Sequence, residues 1–108
     1  MGSIRRFGKA STQIRVKLGE SFVLELPAAA TGGYTWQVAS RPRVVVLREQ
    51  RFLPASPARG GPSLQELEFS SVRSGEEALV LEYKRPWDTT VAERLEVGIV
   101  VEPGSSGS

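Results

Sequence analysis

Apolar residues recur at every second position through most of this chain, the period that places side chains on alternate faces of a β-strand. Ile14, Val16 and Leu18 alternate with Arg15 and Lys17 and predict a first strand, A, turned by Gly19-Glu20. Phe22, Leu24 and Leu26 alternate with Val23 and Glu25 in strand B. Pro27 closes that strand because it has no N–H to give to a ladder. A run of small residues follows, Ala28-Ala29-Ala30-Thr31-Gly32-Gly33, and then strand C puts Tyr34, Trp36 and Val38 on one face until Arg41-Pro42 breaks it. Val44 to Leu47 is a continuous apolar run, expected as strand D and buried on both faces at its start.

Phe52 to Pro62 holds three prolines and two glycines and reads as a loop. Strand E spans roughly Ser63 to Ser70, with Leu67 and Phe69 on its inner face, and Ser74-Gly75-Glu76 is a turn. Strand F covers Ala78 to Lys84. In strand G, Leu95, Val97, Ile99 and Val101 alternate with Arg94, Glu96, Gly98 and Val100. Seven short strands with turn residues between them, reversing at each connection, predict an all-β chain folded as an antiparallel β-sandwich. A tryptophan facing inward from strand C is the usual anchor of such a core, so Trp36 and its neighbour Tyr34 are assigned there.

Parity then groups the loops. If every connection reverses the chain, the A–B, C–D and E–F turns share one end of the sandwich and the B–C, D–E and F–G loops share the other. The first group is short and tight. The second is long, rich in Gly and Pro, and includes Arg85-Pro86-Trp87-Asp88, where Pro86 ends strand F. Trp87 stands just past that strand end among polar residues. On the residues alone, it is either a lid folded back on the core or an anchor offered to a partner.

Composition narrows the chemistry. The chain of 108 residues is one domain, with no Cys, no His, no Asn and a single aspartate, Asp88. That inventory removes Ser-His-Asp and Cys-His catalysis, thiolate or imidazole metal sites and Asp-rich calcium loops. Its eleven glutamates mostly alternate with apolar residues, the pattern of a solvated sheet face. The chain reads as a non-enzyme, without cofactor or metal. A net charge of +2 is a weak nucleic-acid signal, and no apolar run reaches the roughly 18 residues of a membrane span. Residues 1–10 are taken as an N-terminal extension, 11–103 as the sandwich and 104–108 as a flexible tail. Met1-Gly2-Ser3 and the closing Gly-Ser run look appended. A leader removed with them would imply a periplasmic or secreted protein, and otherwise a cytoplasmic one.

Three motifs in these loops resemble those of the chagasin-type inhibitors of cysteine peptidases. That family carries Asn-Pro-Thr-Thr-Gly-Tyr and then Trp in its B–C loop, where this chain has Ala29-Ala30-Thr31-Gly32-Gly33-Tyr34 and Trp36. Its D–E loop carries Gly-x-Gly-Gly, against Ala58-Arg59-Gly60-Gly61 here. Its F–G loop carries Arg-Pro-Trp, which Arg85, Pro86 and Trp87 match outright. Ala29 and Ala30 stand in place of the family's Asn-Pro, Gly32 in place of the second Thr and Ala58 in place of the first Gly.

The resemblance implies an immunoglobulin-like inhibitor, expected as a monomer, that enters the cleft of papain-like peptidases with these three loops. Thr31, Gly32 and Gly33 would fill the catalytic centre, with Ala30 among the peptidase-binding residues beside them. Arg85, Pro86 and Trp87 would brace one rim, and Arg59, Gly60 and Gly61 the other. The small side chains of the B–C loop agree with this, because a narrow cleft admits only a thin loop led by its backbone. Two rivals stand beside the inhibitor: an adhesion or assembly module using the same pole, and a nucleic-acid binder using Lys84, Arg85 and Trp87.

Overall fold

The computed structural model describes residues 4–28, 32–54 and 63–104. Eight strands follow one another: β1 (Arg5–Phe7), β2 (Gln13–Lys17), β3 (Ser21–Pro27), β4 (Thr35–Val38), β5 (Val45–Leu53), β6 (Leu64–Ser71), β7 (Gly75–Lys84) and β8 (Glu93–Glu102). Strands β2 to β8 correspond to the predicted A to G. They form two four-stranded sheets, ordered β1-β3-β6-β5 and β2-β8-β7-β4. This is the expected immunoglobulin-like sandwich, and among the described residues there is no helix.

The inner faces follow the alternation read from the sequence. Phe22, Leu24, Leu26, Leu67 and Phe69 of the first sheet face Ile14, Val16, Trp36, Leu79, Leu81, Val97, Ile99 and Val101 of the second, and all are buried. Phe22 and Phe69 stack with ring centroids 5.4 Å apart. Burying large aromatic and aliphatic side chains in this way is the main favourable contribution to folding a domain of this size.

Four features depart from the expectation. First, an eighth strand, β1, lies inside the segment assigned as an extension. Phe7 packs edge-on against Phe22, and Arg6 reaches Glu25 and Glu66, so three residues without a long apolar pattern still join the sheet. Second, the sandwich is not wholly antiparallel: β1–β3 and β2–β8 pair in parallel. With a reversal at each connection, the first and last of seven strands point the same way, so neighbours β2 and β8 must be parallel. Third, β5 runs on to Leu53 rather than ending at Leu47. A bulge between Leu47 and Glu49 breaks its alternation, which hid its second half among charged residues. Fourth, burial on both faces at the start of the run reaches only Val44 and Val45, and Val46 is already exposed.

One polar side chain joins the sheets near the B–C loop. Gln65 on β6 is fully buried; its Oε1 accepts the Trp36 N–H at 2.7 Å and its Nε2 donates to the Trp36 C=O at 2.9 Å. Strand β4 is an edge, so these backbone groups have no neighbouring strand on that side, and Gln65 supplies what a strand would. The outer face of the first sheet carries a charge ladder in which Glu66 pairs with Arg6 and Arg51, and Arg51 also pairs with Glu68.

Candidate functional site

Pole assignment can be followed through the hydrogen bonds. Gly19 N–H donates to Ser71 C=O, Ser71 N–H to Glu20 C=O, and Val72 N–H to Val44 C=O, so the turns after β2, β4 and β6 meet at one end. At the other end, Ala28 N–H donates to Ser63 C=O at 3.2 Å and the Ser63 hydroxyl to Ala28 C=O at 2.6 Å. The β3–β4 connection therefore leaves beside the point where the β5–β6 connection returns. The β7–β8 loop closes the same end, where Trp87 lies on Gly33: a Cβ added to Gly33 would stand 2.7 Å from the Trp87 ring. Parity had grouped these three connections correctly.

The segment after β7 is a β-turn. Asp88 N–H donates to Arg85 C=O at 3.0 Å, which makes Arg85 the first residue of the turn, Pro86 the second and Trp87 the third. Proline suits the second position because its ring fixes φ near −65°. Below the turn, Ala92 N–H donates to Tyr83 C=O at 2.9 Å and closes the base of the loop. The turn thus holds the indole out from the strand end, and Trp87 is 71% exposed. Of the two readings left open for this residue, the lid on the core is ruled out.

Arg85 sits among partners rather than free in solvent. Its Nε and Nη2 both donate to Asp88 Oδ2, at 3.0 and 2.7 Å. Its guanidinium carbon lies 5.1 Å from the centre of the Tyr34 ring and 5.9 Å from that of Trp87, within cation–π range of both. The hydrogen bond to Asp88 raises the Arg85 pKa above its ordinary value, so the charge on this side chain is permanent. Tyr34 packs at a tilt against Tyr83, with ring centroids 5.5 Å apart, and Tyr83 does the same against Trp36 at 5.0 Å. A continuous aromatic column therefore runs from the buried core at Trp36 to the surface at Tyr34. The expectation that Tyr34 is a core residue is corrected: it is half-buried and forms the floor on which Arg85 rests.

Gly32 and Gly33 both adopt positive φ, +83° and +78°, a region L side chains rarely occupy. Two glycines in succession are therefore required by the turn before β4, and at Gly33 the overlying indole adds a second reason. Among the residues assigned to the site, Gly32, Gly33, Arg85, Pro86 and Trp87 are thus brought to one surface. Ala30, Thr31, Arg59, Gly60 and Gly61 lie outside the described residues.

Sequence reasoning missed Asp88, Gln65 and Phe52. Asp88 could have been suspected as the only aspartate, three residues past an arginine and across a proline turn. Gln65 shares the parity of Leu67 and Phe69, so the alternation alone placed an amide in the core. Phe52 is 57% exposed beside a shallow, mostly apolar depression of about 200 Å³ formed with Ala28, Leu53, Pro54, Ser63 and Leu64. Nothing in its charged sequence context set it apart.

Comparison with known proteins adds a family to this geometry. Residues 15–101 match the chagasin family peptidase inhibitor I42. No curated protein sequence matches the chain significantly. Among solved structures, the cysteine protease inhibitor EhICP2 from Entamoeba histolytica superposes with a TM-score of 0.75 at 16% identity, covering 92% of this chain and 95% of that one. Amebosin superposes with a TM-score of 0.71 at 21% identity, covering 95% of this chain and all of the other. At such identities these two likenesses speak to the fold.

Proposed function

The chain belongs to the chagasin family of peptidase inhibitors, and we propose that it inhibits papain-like cysteine peptidases reversibly by closing their active-site cleft with the three loops of one pole. The observation that carries the loop assignment is Trp87, a large apolar side chain that is mostly exposed and yet held by a closed turn and by contact with Gly33. An ordered, solvent-facing indole is the kind of group that contributes most when an interface desolvates it. The motifs of the B–C, D–E and F–G loops and the fold shared with an amoebal cysteine protease inhibitor support the choice of peptidase class.

In this reading Thr31, Gly32 and Gly33, with Ala30 before them, enter the cleft by their backbone. Trp87 with Pro86 and Arg85 braces one rim, and Arg59, Gly60 and Gly61 brace the other. The interface is of standard size, about 1,600 Å². No bond is made or broken by the inhibitor, and no cofactor takes part.

The test is the inhibition constant against papain, with mass spectrometry of the recovered inhibitor. Inhibition competitive with substrate and an intact chain after long incubation are expected. Thr31→Arg should abolish most of the potency by adding bulk to a thin loop, while Thr31→Ser should change it little. Absence of inhibition across a panel of papain-like peptidases would leave the adhesion-module reading in its place. Cleavage between Ala30 and Gly33 would show that the loop enters as a substrate.

A further inference from the structure

Four side chains of the pole, Asp88, Arg85, Tyr34 and Trp87, form a chain of contacts whose purpose the inhibitory reading leaves open. Asp88 grips Arg85 through two hydrogen bonds to one carboxylate oxygen. Arg85 lies within cation–π distance of two rings, those of Tyr34, just before β4, and Trp87, just after β7. Trp87 in turn covers Gly33. The four contacts connect the β3–β4 loop to the β7–β8 loop without any backbone hydrogen bond between them among the described residues.

Arginine is suited to the middle of such an arrangement. Its guanidinium is planar, so the rings can engage its faces while the edge donates in-plane to a carboxylate. Without Asp88, the guanidinium would swing freely on its stem. Trp87 would then lose one of the two groups that fix its rotamer. We infer that Asp88 is a positioning residue of the inhibitory pole, acting through Arg85 on Tyr34 and Trp87, so that two loops meet the peptidase as one pre-formed surface.

This inference rests on the inhibitory reading above, and it alters one part of it. Arg85 is not a free cation offered to the target but the internal strut of the site, its charge balanced by Asp88. The energetic consequence is one of preorganisation, since side chains already ordered before binding lose less entropy on contact. Two rotamer-rich side chains, Arg85 and Trp87, are involved, which corresponds to about tenfold in affinity.

The experiment compares the wild-type chain with Asp88→Asn, Asp88→Glu and Arg85→Lys. One arm measures association and dissociation rates with papain. The other follows the Arg85 Nε–H and Trp87 indole N–H resonances, including the hydrogen exchange of the former, in the inhibitor alone. Asp88→Asn should weaken inhibition about tenfold, chiefly through faster dissociation, and should expose Arg85 Nε–H to exchange while the melting temperature stays close to wild type. Arg85→Lys should show the same loss of affinity, because the ammonium keeps the charge but lacks the planar fork. Asp88→Glu should recover most of both readouts.

An unchanged Arg85 resonance in Asp88→Asn overturns the inference, and so does a changed resonance with undiminished inhibition. If wild type fails to inhibit any papain-like peptidase, the functional reading falls. The resonance arm then still judges the strut by itself.

Discussion

At the pole that carries Gly19, Val44 and Ser71, neighbouring turns are joined by backbone hydrogen bonds, and Glu77 accepts the Arg43 and Val44 N–H groups as well. At the pole that carries Gly33 and Trp87, the β3–β4 and β7–β8 loops touch through side chains instead. The same sandwich thus ends in two ways. Backbone bonding consumes the polar groups of the chain and leaves a turn that is stable and chemically quiet. Side-chain contact leaves an indole and two glycines facing solvent, and with them an apolar surface that another protein can cover. In the proposed reading, the pole that binds is the one where, among the described residues, side chains rather than backbone bonds join these two loops.

Two tryptophans test this contrast most severely. Trp36→Ala removes a buried ring that anchors the core and donates to the Pro27 C=O, and should destabilise the domain by about 3–5 kcal/mol in chemical denaturation. Trp87→Ala removes the exposed ring and should leave the denaturation midpoint nearly unchanged. It should weaken inhibition of papain by about 2 kcal/mol or more. Equal destabilisation by both would mean that Trp87 contributes to the core after all.

Two glycines give a finer comparison. Gly19 and Gly33 both require positive φ, but space around Gly19 is open whereas Gly33 lies under Trp87. Gly19→Ala should cost about 1 kcal/mol of stability from backbone strain alone and leave inhibition intact. Gly33→Ala should cost a similar or larger amount and also raise the inhibition constant, because the indole must move. Parallel denaturation and inhibition measurements on the two variants decide the matter.

The smallest expected effect concerns acid. Burial pushes the Glu66 carboxyl up, but hydrogen bonds from Arg51 and Arg6 outweigh it and hold the group below its ordinary value. A carboxylate depressed in the folded state stabilises it above the unfolded pKa of about 4.3, and that contribution is lost as the pH falls through the folded value. Glu66 follows Gln65 on β6, toward the loop pole, so acid should loosen that end of the first sheet. The melting temperature of wild type minus that of Glu66→Gln should be largest at neutral pH and shrink on acidification. A gap independent of pH would show that the ladder contributes nothing through charge.

Period-two alternation made most of the sandwich legible. Leu95, Val97, Ile99 and Val101 are inward or partly buried as the pattern requires, and Trp36 is the anchor. The pattern failed where it was interrupted or too short to register. The bulge at Arg48 concealed the second half of β5, and β1 has three residues, two of them arginine. In the site, Gly32, Gly33 and Trp87 were legible through the resemblance of three loop motifs taken together, since a small-residue loop by itself is an ordinary connection. Asp88 and Gln65 were not. Alternation places Gln65 in the core and the chain places Asp88 three residues past Arg85, but neither pattern shows the partner that gives the residue its role. That partner is the Trp36 backbone in one case and the Arg85 guanidinium in the other.

The bulge in β5 has a consequence for how these molecules behave in a crowd. Strand β5 is the outer edge of its sheet, nine residues long, and a straight edge of that length is a template on which further chains can hydrogen-bond and grow into aggregates. The irregularity between Leu47 and Glu49 twists the edge out of register with any straight partner. Charged residues Arg48, Glu49 and Arg51 lie at the same place, and an incoming strand would have to strip them of water. The first sheet is therefore guarded against edge-to-edge polymerisation midway along its longest open margin, which leaves the loop pole as the surface for the proposed partner.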